Sequence, residues 1–209
     1  MDDSMAKKAR ANPIEGKGIS GLNNILQLAV QVGLELEKCG ILFCFIGGTA
    51  YQRWGEPRQT SDVDATLMVE FGEERETVKK LLKMYSARID NVEEFAERNR
   101  IVLLQSRQGI GIDLSLGGLP YESRQIARSS VWKVPGHGDI RTCSAEDLVV
   151  LKSFASRPQD WIDVEKVIIR QGARLNRVLI KDELLPLAEL KEEPELMDRL
   201  AVLFQKHAV

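Results

Sequence analysis

Histidine and cysteine are scarce in this chain. Two histidines, His137 and His207, are too few for a histidine-rich zinc site. Three cysteines, Cys39, Cys44 and Cys143, are odd in number and fall at no metal-ligand spacing, so they read as reduced structural thiols. No apolar run reaches the length of a membrane span, and no charged-then-apolar leader precedes a cleavage site. The expectation is a cytoplasmic protein without a membrane partner. A formal net charge of only −2 argues against a broad nucleic-acid-binding surface, though it leaves room for a local basic patch. Internal repeats and low-complexity tracts are also absent. What remains is ordinary for a soluble globular chain: 209 residues, 44% hydrophobic and 29% charged. That length suffices for one medium domain, or a core with a small second domain.

The stretch from Ile41 to Leu67 organises the rest. Six apolar residues, Ile41 to Ile46, have the length of a strand buried on both faces. Gly47 and Gly48 follow, where a chain leaving a strand can turn tightly and admit a ligand to its backbone. Thr49 to Trp54 reads as a short helix stopped at Gly55, its free N–H groups beside the glycines, an arrangement that suits phosphate. After a loop containing Arg58 comes Ser61-Asp62-Val63-Asp64-Ala65-Thr66-Leu67. As a strand it points Asp62, Asp64 and Thr66 to one face and Val63, Ala65 and Leu67 to the other. A phosphate cradle followed by two carboxylates on one strand face is a site for divalent metal and polyphosphate.

The flanking segments divide by period. Residues 1–18 are polar and aperiodic, and are expected to be a mobile tail. Leu22 to Leu36 follows helical spacing, with Gly40 as its left-handed cap. Helix is expected from Glu73 to about Tyr85, a connection over 88–91, a helical turn from Val92 to Arg98 and a strand over Ile101–Gln105. From Ile110 to Gly117 the alternation is clean: Ile110, Ile112, Leu114 and Leu116 inward, Gly111, Asp113 and Ser115 opposite. Tyr121 to Arg128 reads as a helix, and Ser130 to Arg141 as short strands about a Pro135–Gly138 turn. Arg124, Arg128, Lys133 and Arg141 are either a basic stretch for an RNA acceptor or a solvated face. From Ser144 on everything is helical, with Ser144–Asp147 resembling a capping box and Pro158 at a first helical position. The fold class is therefore α+β, a mixed sheet flanked by helices over 19–143 followed by a small helical domain over 144–209.

Asp113 is the third acid, on the polar face of a strand that could lie beside Asp62 and Asp64. Three carboxylates so close would repel one another unless divalent cations neutralised them, so the set implies Mg²⁺ or Mn²⁺, as two ions. The bland alternative is that these acids end strands and face water. Gly47 and Gly48 alone could be no more than a strand-end turn.

The pattern GG-T-A-x4-G-x2-R-x-T-x-D-V-D, carried by Gly47, Gly48, Ala50, Gly55, Arg58, Thr60, Asp62 and Asp64, resembles the signature of the minimal, polymerase-β-like nucleotidyltransferases. It is most similar to the AbiEii-type nucleotidyltransferases of toxin–antitoxin systems. A second constellation, Lys152 followed by Arg157, Asp160 and Asp163, resembles that family's helical lysine, arginine and D-x-x-D. The resemblance implies transfer of a nucleoside monophosphate from an NTP to a hydroxyl, with release of pyrophosphate. It implies that Asp62 and Asp64 hold both metals while Asp113 helps to hold one and activates the acceptor. Gly47, Gly48, Thr49, Arg58 and Lys152 would bind the nucleotide, supported by Arg157, Asp160 and Asp163. Asp160, in a helix's first turn, equally suits the helix dipole with no site at all. RNA including tRNA ends, a protein hydroxyl or a small molecule are open as acceptors, and a cognate antitoxin as a partner. The rival expectation is a non-catalytic binding or regulatory module of a toxin–antitoxin pair that keeps the fold.

Overall fold

The computed structural model of the protein describes residues 13–207, with side chains from residue 21. The expected tail lies outside the described residues as far as residue 12. Residues 13–18 depart from that expectation: helix α1 runs from Pro13 to Lys38. Proline at a first helical position costs nothing, and the amphipathic stretch beyond it propagates the helix backwards. Gly40, at φ +70°, ends it in the left-handed conformation that glycine adopts freely.

Among the described residues seven strands form one mixed sheet in the order β3-β4-β5-β2-β1-β7-β6. These are β1 (Phe43–Phe45), β2 (Asp62–Met68), β3 (Ser86–Ala87), β4 (Ile101–Gln105), β5 (Gly111–Gly117), β6 (Ser130–Val134) and β7 (Gly138–Thr142). β2 and β5 run parallel along their whole length, with Asp62 opposite Gly111 and Asp64 opposite Asp113. β1 is shorter than its apolar run suggests. Leu42 is 67% exposed, and the chain enters helix α2 (Gly47–Trp54) immediately after Ile46.

Alternation on β2 and β5 assigns the two faces. Val63, Ala65, Leu67, Ile112 and Leu114 pack with Ile25, Ala29, Val32 and Leu36 of α1, and with residues of α3 (Glu74–Leu81) and α4 (Val92–Asn99). The other face carries α2, α5 (Pro120–Ala127) and the C-terminal helices α6 (Ala145–Ala155), α7 (Pro158–Gln171), α8 (Arg177–Lys191) and α9 (Glu195–Lys206). There Cys44, Tyr51 and Tyr121 share a second core with Leu148, Trp161, Ile168, Ile180 and Leu200. Cys44 and Cys143 are buried free thiols, as composition suggests.

Local chemistry sets the helical boundaries. Ser144 caps α6 by accepting from the Asp147 N–H at 3.0 Å, and Asn176 caps α8 by accepting from Leu179 at 3.0 Å. The end of α2 is stitched to the chain beyond β7: Trp54 Nε1 donates to the Cys143 carbonyl at 2.8 Å, and Gln171 donates to the Trp54 carbonyl at 2.7 Å. Two of the four cations of the basic stretch are spoken for. Arg124 and Arg128 both bind Glu183 of α8, and Arg128 also binds Asp147 of α6. Strand β3, between the helix expected to about Tyr85 and the connection expected from Arg88, is two residues long and carries no apolar alternation. No helix among the described residues is long and apolar enough to cross a membrane.

Candidate active site

The turn from β1 into α2 is the floor of the site. Gly47 sits at φ +51°, where an L side chain is strained, and a Cβ there would collide with the Asp64 carboxylate. A Cβ on Gly48 would collide with Thr60. The two glycines thus let β2 pass hard against the start of α2. Asp64 uses that closeness: its Oδ2 accepts from the Gly48 N–H at 3.2 Å. The N-cap residue, Ile46, offers the opening turn no side-chain cap, so the Asp64 carboxylate is the group that takes one of its N–H donors.

The three acids gather as alternation predicts. Asp64 and Asp113 are partners across the parallel ladder, and Asp62 stands two residues along on the same face. Burial pushes the Asp64 carboxyl up to about 6; the Gly48 N–H works against this, and the nearby charges of Asp113 and Asp62 add to it. Burial also raises Asp113, against the pull of Arg88, with the Asp62 charge adding to it. All the donors are carboxylate oxygens, the type a hard divalent cation takes. Among the described residues no group of three acidic, histidine or cysteine side chains is, as placed, close enough to hold a metal ion. Instead Arg88 intrudes: it hydrogen-bonds Asp113 and comes within 3.9 Å of Asp62.

Opposite the acids stand Lys152 and Arg157 from the helical half and Arg58 from the loop before β2. A cavity of about 470 Å³ is lined by Gly47, Gly48, Asp62, Asp64 and Asp113 on the sheet side. Arg58, Lys152, Arg157, Gln159 and Asp160 line it on the other. Lys152 is 6% exposed, its Nζ 2.6 Å from Asp163 and 3.1 Å from Asp160. Arg58 makes a two-pronged contact with Asp163, at 2.9 and 2.6 Å. Arg157 reaches back to Asp160 at 2.7 Å while its side chain remains 76% exposed. Asp160 and Asp163, one turn apart on α7, therefore order the cations facing the acids, as their spacing suggests.

Two expectations need adjustment. Thr49 does not line the cavity; α2 begins at Gly47, so Thr49 is a third helical residue, with its side chain fully buried. Arg58 is committed to a buried carboxylate rather than reaching freely into the cavity. Three contributors escaped the sequence reading. Tyr51 lies beneath both Arg58 and Lys152, its ring centre 5.1 and 5.6 Å from their charges. Gln159 donates to Asp163 at 2.9 Å. Arg88 had no signal at all, since a lone arginine in a connection is commonplace.

A mixed sheet with a glycine turn, neighbouring acids on parallel strands and a helical half closing over them is the architecture of a polymerase-β-like nucleotidyltransferase. The solution structure of the antibiotic-resistance factor ANT(2'')-Ia superimposes with a TM-score of 0.54 at 16% identity, covering 80% of this chain and 95% of that one. An antigenic nucleotidyltransferase-like protein from Paracoccidioides brasiliensis aligns over 91% of this chain and 94% of its own, at 16% identity and a TM-score of 0.49. No curated protein sequence matches the chain. The family model for the nucleotidyl transferase AbiEii toxin of type IV toxin–antitoxin systems matches residues 32–201. The chain belongs to that family and is a nucleotidyltransferase.

Proposed function

We propose that the protein binds a nucleoside triphosphate in the cleft between sheet and helical half and transfers its nucleoside monophosphate to a hydroxyl. The observation that carries this reading is one cavity, with Asp62, Asp64 and Asp113 on one wall, Lys152 and Arg157 on the other, and the Gly47–Gly48 turn between them. Asp62 and Asp64 would hold a pair of Mg²⁺ or Mn²⁺ ions, with Asp113 a ligand of one. When bound, these ions offset charge on the reacting α-phosphate and on the departing pyrophosphate. The backbone of the Gly47–Gly48 turn would receive phosphate oxygens, and Lys152 and Arg157 would draw the β- and γ-phosphates toward α6 and α7. Asp113 would accept the proton of the acceptor hydroxyl as its oxygen attacks the α-phosphorus and the bond to the β-phosphate oxygen breaks.

The acceptor would be an RNA end, a protein hydroxyl or a small molecule, and membership of a toxin–antitoxin family makes a cognate antitoxin a candidate partner. One experiment addresses acceptor and activity together. Each α-labelled NTP, with Mn²⁺, is incubated with total RNA, total protein and a panel of small hydroxylated antibiotics. Label should enter one fraction with the wild type and none with D62N/D64N. Absence of label with every NTP and every fraction would instead favour a binding module that keeps the fold. Mn²⁺ and NTP together should also raise the melting temperature, ligand at a hundred times Kd being worth about 2.7 kcal/mol.

A further inference from the structure

We propose that Arg88 is a built-in counter-ion: in the metal-free protein its guanidinium occupies the space between Asp62 and Asp113, and loading a divalent cation requires it to leave. This rests on the reading of the three acids as metal ligands. The strand register brings it there. The Arg88 N–H donates to the Leu103 carbonyl at 3.0 Å, extending the β3–β4 ladder by one residue. Leu103 is opposite Asp113, and Asp113 is opposite Asp64. One row across the sheet thus reads Arg88, Leu103, Asp113, Asp64. With strands about 4.8 Å apart, an arginine two strands away can stretch over its neighbour onto the acid.

Three further observations distinguish Arg88 from an ordinary surface cation. Among the described residues its guanidinium meets no ion-pair partner other than Asp113 and Asp62. Room for it is provided by a missing side chain: a Cβ on Gly111, the register partner of Asp62, would collide with both Asp62 Oδ1 and Arg88 Nη1. Its side chain is 30% exposed, and its two partners are 38% and 34% exposed, so water already reaches the contact and the arm can swing away. Arg58 and Arg128 differ, because each grips a carboxylate of at most 1% exposure.

The physical consequence is a threshold. One delocalised positive charge steadies two neighbouring carboxylates while the site is empty. A divalent ion must overcome that contact, so the ion alone binds weakly. An ion delivered with the nucleotide's phosphates has extra ligands to offset the loss. Arg88 is thus a positioning residue that would couple metal loading to substrate arrival.

The test measures Mn²⁺ binding without nucleotide, by the loss of the free-ion electron paramagnetic resonance signal. It compares wild type, R88Q, R157Q and D62N/D64N. Arg157 lines the same cavity but is held by Asp160, so R157Q removes equal charge without emptying the space between Asp62 and Asp113. R88Q should bind Mn²⁺ about tenfold more tightly than wild type, the worth of one charge-assisted hydrogen bond, and clearly more tightly than R157Q. Equal tightening in R88Q and R157Q overturns the proposal, leaving only the general field. Weaker binding in R88Q overturns it too, since Arg88 would then be organising the acids for metal. Should R88Q fail to fold, R88K serves: a single ammonium bridges two carboxylates poorly, so affinity must still rise above wild type, and no rise overturns the proposal. If wild type and D62N/D64N bind Mn²⁺ alike, the metal reading of the acids fails and this inference with it.

Discussion

Asp163 is wholly buried and still charged, because three side chains converge on its two oxygens. Arg58 takes both, Lys152 takes one at 2.6 Å, and Gln159 takes the other at 2.9 Å. Burial alone would raise its pKa, but hydrogen bonds from Arg58, Lys152 and Gln159 together hold it below the usual carboxylate range. D163N keeps the shape, leaves Lys152 with Asp160 alone and leaves Arg58, whose side chain is 35% exposed, to water. Breaking a fully buried pair costs about 3–5 kcal/mol, so with these outlets urea unfolding should show a loss at or below the lower end of that range. K152A should be milder, since Asp163 keeps Arg58 and Gln159, yet it should weaken NTP binding by more than its modest effect on melting temperature implies. Equal NTP affinity in wild type and K152A would remove Lys152 from the site. At this scale much of the site was legible in the sequence. Alternation along β2 and β5 foretold which way Asp62, Asp64 and Asp113 face, and helical spacing foretold that Asp160 and Asp163 share a face. Arg88 and Tyr51 were not legible. Their roles come from register across three strands and from tertiary packing, neither of which leaves a period in the chain.

The element that most constrains the site is the turn into α2. Its two glycines are required for different reasons, which makes them separable by mutation. At Gly47 both the left-handed backbone and the Asp64 carboxylate exclude a side chain; at Gly48 only Thr60 does. G47A should therefore cost about 1–3 kcal/mol of stability through backbone strain and also push Asp64 from its place. G48A should be partly rescued by T60A, which removes the Thr60 hydroxyl that the new Cβ would meet first. Chemical denaturation and the transfer rate, measured on G47A, G48A and G48A/T60A, check this. A G47A protein with wild-type stability and rate would mean that the turn is not the constraint described. Elements with strong punctuation were readable in advance: Ser144 and Pro158 mark the starts of α6 and α7. β1 was overread because an apolar run does not reveal where a strand yields to a turn. β3 was missed because two residues held by one neighbouring strand have no pattern of their own.

Across the whole molecule, the sheet half and the helical half are fastened by an ion cluster that joins the end of α5 to α6 and α8. Glu183 of α8 receives Arg124 at 2.9 and 2.6 Å and Arg128 at 2.7 Å, and Arg128 continues to Asp147 at 3.0 and 2.6 Å. Hydrogen bonds from Arg124 lead in holding Glu183 below its ordinary pKa of 4.5; burial opposes them and Arg128 adds to them. The sign of the pH effect is set by linkage. The unfolded chain takes up this proton near 4.5, whereas the folded protein resists until lower pH. The stabilisation is therefore complete above the unfolded value and is lost as pH falls through the depressed folded value. E183Q removes the charge that causes the difference. At pH 7 it should be less stable than wild type by about 1.5–3 kcal/mol, the worth of charged hydrogen bonds to a buried group. The gap should narrow on acidification through the carboxylate range, because the wild type loses what the variant never had. Urea midpoints for both proteins from pH 7 to pH 3 measure this directly. Parallel curves would show that Glu183 is not the group that fastens α8 to α5 through its charge.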